Sequence, residues 1–226
     1  MRAAASKGSG PSNGPSCSKR LPADPAPSEP LVFVLIGPGG AGKGTVAERL
    51  IGEPLGLWLS RSWTTRPRRP AEGDDAYVFV TPGAFRDRID GGGFLEWAEF
   101  LGNLYGTPLA DPPPGHDVLL EIDVAGARQV VDRLPEATVV LLLPPSAEVQ
   151  RQRLIARGDD EEHVRRRLAK GEEEVRLGRE LSGGNVVVND DIDRAVAELG
   201  GIVQRTRAAR RAVAPSPYRG DDSEDT

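Results

Sequence analysis

The stretch Gly37-Pro38-Gly39-Gly40-Ala41-Gly42-Lys43-Gly44-Thr45 constrains this chain more than any other. It follows the apolar run Leu31-Val32-Phe33-Val34-Leu35-Ile36 and leads into the helix-like Val46-Ala47-Glu48-Arg49-Leu50. A strand, a glycine loop and a helix start, in that order, make a phosphate cradle. Glycines let the backbone turn sharply and aim successive N–H groups inward, and the helix start adds its positive dipole end, so phosphate oxygens meet donors without side-chain bulk. Lys43 supplies a mobile cation for the outer phosphates of a nucleotide. The residue after the lysine is Gly44, which has no side chain for magnesium, so Thr45, one position later, is the metal candidate.

Around the loop, short apolar runs alternate with helical patterns, the signature of an α/β fold in which helices cover both faces of a parallel sheet. Leu31 to Ile36, Val118 to Ile122, Thr138 to Leu143 and Asn185 to Val188 read as strands, and their nearly unbroken hydrophobicity predicts burial on both faces. Thr81-Pro82 reads as a helix N-cap followed by proline at the first helical position, with Phe85 and Ile89 one turn apart. Residues 60–109 carry their own aromatic and alternating segments and read as an insertion with a small sheet. Residues 150–177 change pattern again: Val164, Leu168 and Val175 mark one helical face among arginines and glutamates. The expected organisation is a polar leader over 1–30, one domain over 31–206 (core 31–59, 110–149 and 178–206), and a polar tail over 207–226.

The leader is rich in Ser, Gly, Pro and Ala and is expected to stay unstructured. A formal net charge of −5 over 226 residues argues against a general nucleic-acid binder, which needs a basic surface. The arginine clusters must therefore have local targets. The single cysteine, Cys17, excludes an internal disulfide framework and fits a reducing, cytoplasmic setting. No apolar run approaches the ~20 residues that span a bilayer, so no membrane partner is expected. Monomer and homodimer are both compatible with the sequence.

Gly-Lys-Gly-Thr is similar to the loop of adenylate kinases, in which magnesium is held mainly by nucleotide oxygens and water. Ser62-Trp63-Thr64-Thr65-Arg66-Pro67-Arg68-Arg69-Pro70-Ala71-Glu72, Phe94-Leu95-Glu96-Trp97-Ala98, Gly102-Asn103-Leu104-Tyr105-Gly106-Thr107-Pro108 and Leu120-Glu121-Ile122-Asp123-Val124-Ala125-Gly126-Ala127 closely resemble the guanylate kinase family, in its order, from about residue 31 to 203. The resemblance implies a P-loop NTPase sheet, a β-rich monophosphate-binding insertion over 60–109 and a helical lid over 150–177. It implies transfer of the terminal phosphate of ATP, with Mg2+, to GMP or dGMP.

It also distributes the site. Gly37 to Thr45 would hold ATP, with Asn189 at the base edge. Arg66 and Arg69, with Tyr77 and Tyr105, match the residues that grip the acceptor phosphate, although the Pro-Arg-Arg-Pro spacing lets Arg68 take the place of Arg69. Glu96 would read the guanine edge, with Ser62 and Thr107 as hydroxyl partners and Asp123 as a further acceptor. Glu121 and Asp123 would help order magnesium waters and the acceptor. Lys43, Arg157 and Arg167 match the catalytic cations, the last two in the lid, where Arg153 lies four residues before Arg157. Arg151, Arg165 and Arg166 read as surface charge. Asp193 to about Arg211 reads as a last amphipathic helix, with Arg205, Arg207, Arg210 and Arg211 near its C-terminal end, where they suit the dipole. The chain departs from the pattern at Trp63, Ala76, Leu104 and Ala125 and is one residue short between Glu72 and Tyr77, which bears on acceptor affinity. Two other readings are a related kinase for another nucleotide or a phosphorylated sugar, and an inactive binding module. Ser62, Glu96, Thr107 and Asp123 speak against the first, and Lys43, Arg157 and Arg167 against the second.

Overall fold

The computed structural model describes residues 29–68, 72–73, 76–100 and 102–213. Its central sheet is five-stranded and parallel, in the order β2 (Leu57–Leu59), β7 (Asp117–Glu121), β1 (Val32–Ile36), β8 (Thr138–Leu143), β9 (Val186–Val188). The most apolar strand, β1, takes the middle because its side chains alternate between two buried layers. Phe33 and Leu35 pack on Leu50 of α1 (Lys43–Gly52) and on Leu199 and Ile202 of α6 (Ile192–Val213). Val34 and Ile36 pack on Val130 of α3 (Val124–Arg133) and Leu177 of α5 (Glu161–Leu181). The helix α4 (Ala147–Ala156) lies between β8 and α5 in the chain.

The insertion forms a separate four-stranded sheet in the order β4 (Val78–Phe79), β3 (Trp63–Thr64), β6 (Asn103–Pro108), β5 (Phe94–Phe100). Its helix α2 (Pro82–Asp90) starts where the sequence predicts: the Thr81 hydroxyl accepts from the Ala84 N–H at 3.2 Å, with Pro82 in the first turn. Fully buried Phe85 stacks on Phe94 with centroids 4.5 Å apart. Trp63 meets Phe94 edge-on at 5.8 Å and lies under the Arg88 guanidinium at 4.4 Å. An aromatic layer on the far side of this sheet from the cleft thus absorbs the unusual tryptophan. Leu104 precedes the cleft-lining Tyr105 on β6, so strand alternation turns it away.

The helices cross two of the expected boundaries. α5 is continuous past residue 177, because its second half belongs to the core: a Cβ on Gly178 would stand 2.8 Å from Leu141 Cδ1, so the bare glycine lets the helix press on β8. α6 continues past 206 to Val213, where Arg207 pairs with Asp117 at 2.7 Å and Arg210 lies 3.8 Å from Glu29. The strand β2 was not anticipated. Most of the expected leader, the chain beyond Val213 and Arg69 lie outside the described residues. Among the described residues, no helix is long and apolar enough to cross a membrane.

Candidate active site

The glycine loop leaves the C-terminal end of β1 and turns into α1, at the edge of the sheet where open parallel sheets bind ligands. Two glycines are sterically required. A Cβ on Gly37 would fall 2.1 Å from the Leu142 carbonyl oxygen, and Gly42, at φ 94°, would drive one to 2.4 Å from Asn189 Nδ2. Helices α2, α3, α4 and α5 each have a side-chain cap, from Thr81, Asp123, Ser146 and Asp160. Helix α1 begins at Gly42 with no side-chain cap and no acid in its first turn. Its first N–H groups lack helix partners and keep a positive dipole end, the arrangement an anion fills. Lys43 Nζ donates to the Gly37 carbonyl at 2.7 Å, which holds the ammonium across the loop and leaves it further protons for phosphate.

Glu96 faces the loop across a cleft of about 250 Å³. It is 5 % exposed and accepts from the Thr107 hydroxyl at 2.6 Å, while Ser62 Oγ stands 3.5 Å from Thr107 Oγ1. Burial pushes the Glu96 carboxyl above its usual range, partly offset by the Thr107 bond. Asp123 also lines the cleft, and it caps α3 by accepting from the Gly126 N–H at 2.8 Å. Burial raises Glu121 as well, against the pull of Lys43 and Arg157.

Beside them, Arg66 stands over the Tyr77 ring at 5.1 Å, and Tyr77 and Tyr105 meet at 6.2 Å. Glu72 fixes the guanidinium as a fork: Arg66 Nη1 donates to one carboxylate oxygen at 2.7 Å and Nη2 pairs with the other. Burial pushes the Tyr77 phenol up to about 12, so it stays a neutral donor at physiological pH. From the lid side come Arg157, at the end of α4, and Arg167 on α5, whose Nε lies 3.6 Å from Asp159 Oδ2. Arg151, Arg165 and Arg166 pair with Glu161 and Glu162 on the surface, as expected.

Some expected members stand elsewhere. Thr45 is exposed on α1 and does not line the cleft, because the helix turn carries it past the loop mouth. Asn189 is 6 % exposed and spends its amide on the Ala41 carbonyl at 2.8 Å, behind the loop rather than facing a base. Ala41 is likewise buried. Conversely, Lys170 and Glu174, 3.5 Å apart on α5, line the cleft without having been expected there. Their one-turn spacing was readable, but on a helix so rich in charge it marks nothing by itself.

A glycine loop open to anions, facing a buried carboxylate across arginine-lined space, defines a phosphotransferase of the P-loop class. The guanylate kinase family model matches residues 29–206. A guanylate kinase of Symbiobacterium thermophilum is 45 % identical over 198 residues, covering 83 % of this chain and 93 % of that protein. One from Deinococcus radiodurans is 43 % identical over 192 residues, covering 81 % and 78 %. The crystal structure of guanylate kinase from Anaplasma phagocytophilum matches with a TM-score of 0.63 at 28 % identity, over 78 % of this chain and 85 % of that one. This chain belongs to the guanylate kinase family.

Proposed function

We infer that the chain transfers the γ-phosphoryl group of ATP to GMP or dGMP, giving ADP and GDP or dGDP. The observation that carries this reading is the buried Glu96–Thr107 pair facing the uncapped loop. Guanine presents N1–H and its 2-amino group side by side, and two carboxylate oxygens match two donors. Adenine has an acceptor at N1 and would leave the buried carboxylate unpaired, which is costly.

An oxygen of the acceptor phosphate attacks the γ-phosphorus as the bond to the β–γ bridging oxygen breaks. A phosphate dianion needs no strong base to do so. The remaining work is positioning and charge. The loop N–H groups and Lys43 hold the donor phosphates, while Arg66, Tyr77 and Tyr105 grip the acceptor phosphate, with Arg69 as a further expected contact. Ser62 and Asp123 support the base. Arg157 and Arg167 close over the transferred group and exclude water that would hydrolyse ATP.

Magnesium suits the donor set. Glu121 and Asp123 line the cleft as hard oxygen donors, and a Cβ on Gly44 would lie 3.5 Å from Glu121 Oε2, so one carboxylate flanks the phosphate loop. Mg2+ favours one or two carboxylates, several waters and substrate phosphates, so Glu121 and Asp123 would hold it largely through water. When bound, the ion neutralises charge on the β- and γ-phosphate oxygens.

ADP release with ATP and magnesium, measured for GMP, dGMP, AMP, CMP, UMP and ribose phosphates, tests the assignment. Activity confined to guanine nucleotides is expected; turnover of another acceptor in preference to GMP, or silence with all of them, contradicts it. A second expectation concerns Gly126, where an added Cβ would lie 2.6 Å from Glu96 Oε2. Gly126→Ala should raise the KM for GMP about 10-fold by displacing that carboxylate, while leaving the KM for ATP unchanged. Steady-state kinetics with each substrate varied in turn would show the split.

A further inference from the structure

The front of the glycine loop offers N–H groups, so its carbonyls point backwards and need donors of their own. Asn189 Nδ2 covers Ala41 from the end of β9, and Arg153 of α4 joins the Ala41 carbonyl at 3.2 Å to the Asn189 carbonyl at 3.0 Å. The Gly39 carbonyl is covered by Gln150 Nε2 at 2.8 Å, across 111 residues of sequence. Gln150 is 8 % exposed. A buried amide is tolerable only when its polar atoms are bonded, so this contact fixes both partners.

Gln150 sits on α4, which ends at Arg157 and leads through Asp159 into α5 and Arg167. Gly171 lets α5 come down on the same spot: a Cβ there would lie 3.1 Å from Gln150 Nε2 and 3.2 Å from Pro38 Cβ. Glycine is unfavourable inside a helix relative to alanine, and this close approach accounts for it. Gly39 has equally little bulk, and Arg167 Nη1 lies 3.5 Å from the position of its absent Cβ. Loop, α4 and α5 therefore converge on one amide.

We propose that Gln150 is a positioning residue for phosphoryl transfer, its side-chain amide latching the lid helices α4 and α5 to the Gly39 carbonyl of the donor loop. The latch holds the peptide that follows Gly39 with its carbonyl backwards and its N–H forwards. The loop conformation that accepts ATP phosphates and the placement of Arg157 and Arg167 are then a single arrangement. Without the donor, that peptide is free to rotate and present its carbonyl to the phosphates, and the lid arginines lose their reference to the loop. The acceptor pocket on the insertion shares none of these contacts.

The inference rests on ATP being the donor, and the test keeps the two apart. In Gln150→Leu, which retains an apolar fit and removes the donor, the KM for ATP should rise about 10-fold and ATP hydrolysis without acceptor should increase relative to transfer. The KM for GMP should stay within about 2-fold. Gln150→Met, unbranched and of similar length, should behave alike and serves if the leucine variant folds poorly. Equal rises in both KM values, or no change in either, would overturn the latch while native activity stands. Absence of GMP phosphorylation by the native chain, measured in parallel, would overturn the function beneath it.

Discussion

Lys43→Ala should lower kcat about 10²- to 10³-fold while the protein stays folded, because one preorganised charge at a transferring phosphoryl group is worth about 3–4 kcal/mol. The side chain belongs to no core layer and contributes one bond, to the Gly37 carbonyl, so the fold loses little. Activity should fall through kcat more than through the KM for GMP, since the ammonium acts on donor phosphates and not on the acceptor base. An indirect effect should accompany it. Lys43 holds the Glu121 carboxyl down against burial, and its removal lets that carboxyl rise further. Single-turnover transfer slowed about 10²- to 10³-fold with an unchanged melting curve would support the assignment; native-like turnover in the variant would sink it.

The elements legible in the sequence are those whose cause is local. β1 and its loop are written in an unbroken apolar run followed by glycines, and the Thr81-Pro82 start of α2 lies in adjacent residues. β2 went unread because three residues with one buried side chain, Leu57, carry no period. The run of α5 through 177 to Leu181 was not legible, because Gly178, which seats the helix on the sheet, gives no apolar signal.

The site divides in the same way. Glu96 was readable because Phe94-Leu95-Glu96-Trp97-Ala98 resembles the family's segment, and its place between Phe94-Leu95 and Trp97 points to partial burial. Gln150 was not, because a neutral amide on an exposed-looking helix declares itself only through a partner 111 residues away. Asn189 shows the limit of a resemblance. Its place at the end of β9 near the donor loop was expected, but the direction of its amide, behind the loop, depends on how closely Ala41 and Gly42 approach.

Glu96→Gln should lower kcat/KM for GMP about 10²- to 10³-fold with the KM for ATP nearly unchanged. The amide keeps one acceptor for Thr107 or for guanine, but it turns an NH₂ toward a donor edge and removes the charge that strengthens both bonds. The pH behaviour separates this from damage to the fold. Burial, with Asp123 adding to it, raises the native Glu96 carboxyl above its unfolded value. A group raised on folding contributes stability that is fully present below the unfolded pKa and is lost as pH rises through the folded one. Once ionised, the buried carboxylate is therefore a burden on the nucleotide-free protein, kept because guanine needs it. Glutamine, neutral throughout, removes the burden, so the variant should melt no lower than the native chain at neutral pH while failing to use GMP. In the native chain GMP binding should weaken as pH falls through the raised value, and the variant should lack that contribution. Calorimetric titrations of GMP and ATP alongside melting curves would decide it: equal losses for both nucleotides, or a lowered midpoint that tracks the lost activity, would mean that Glu96 supports the structure instead of reading the base.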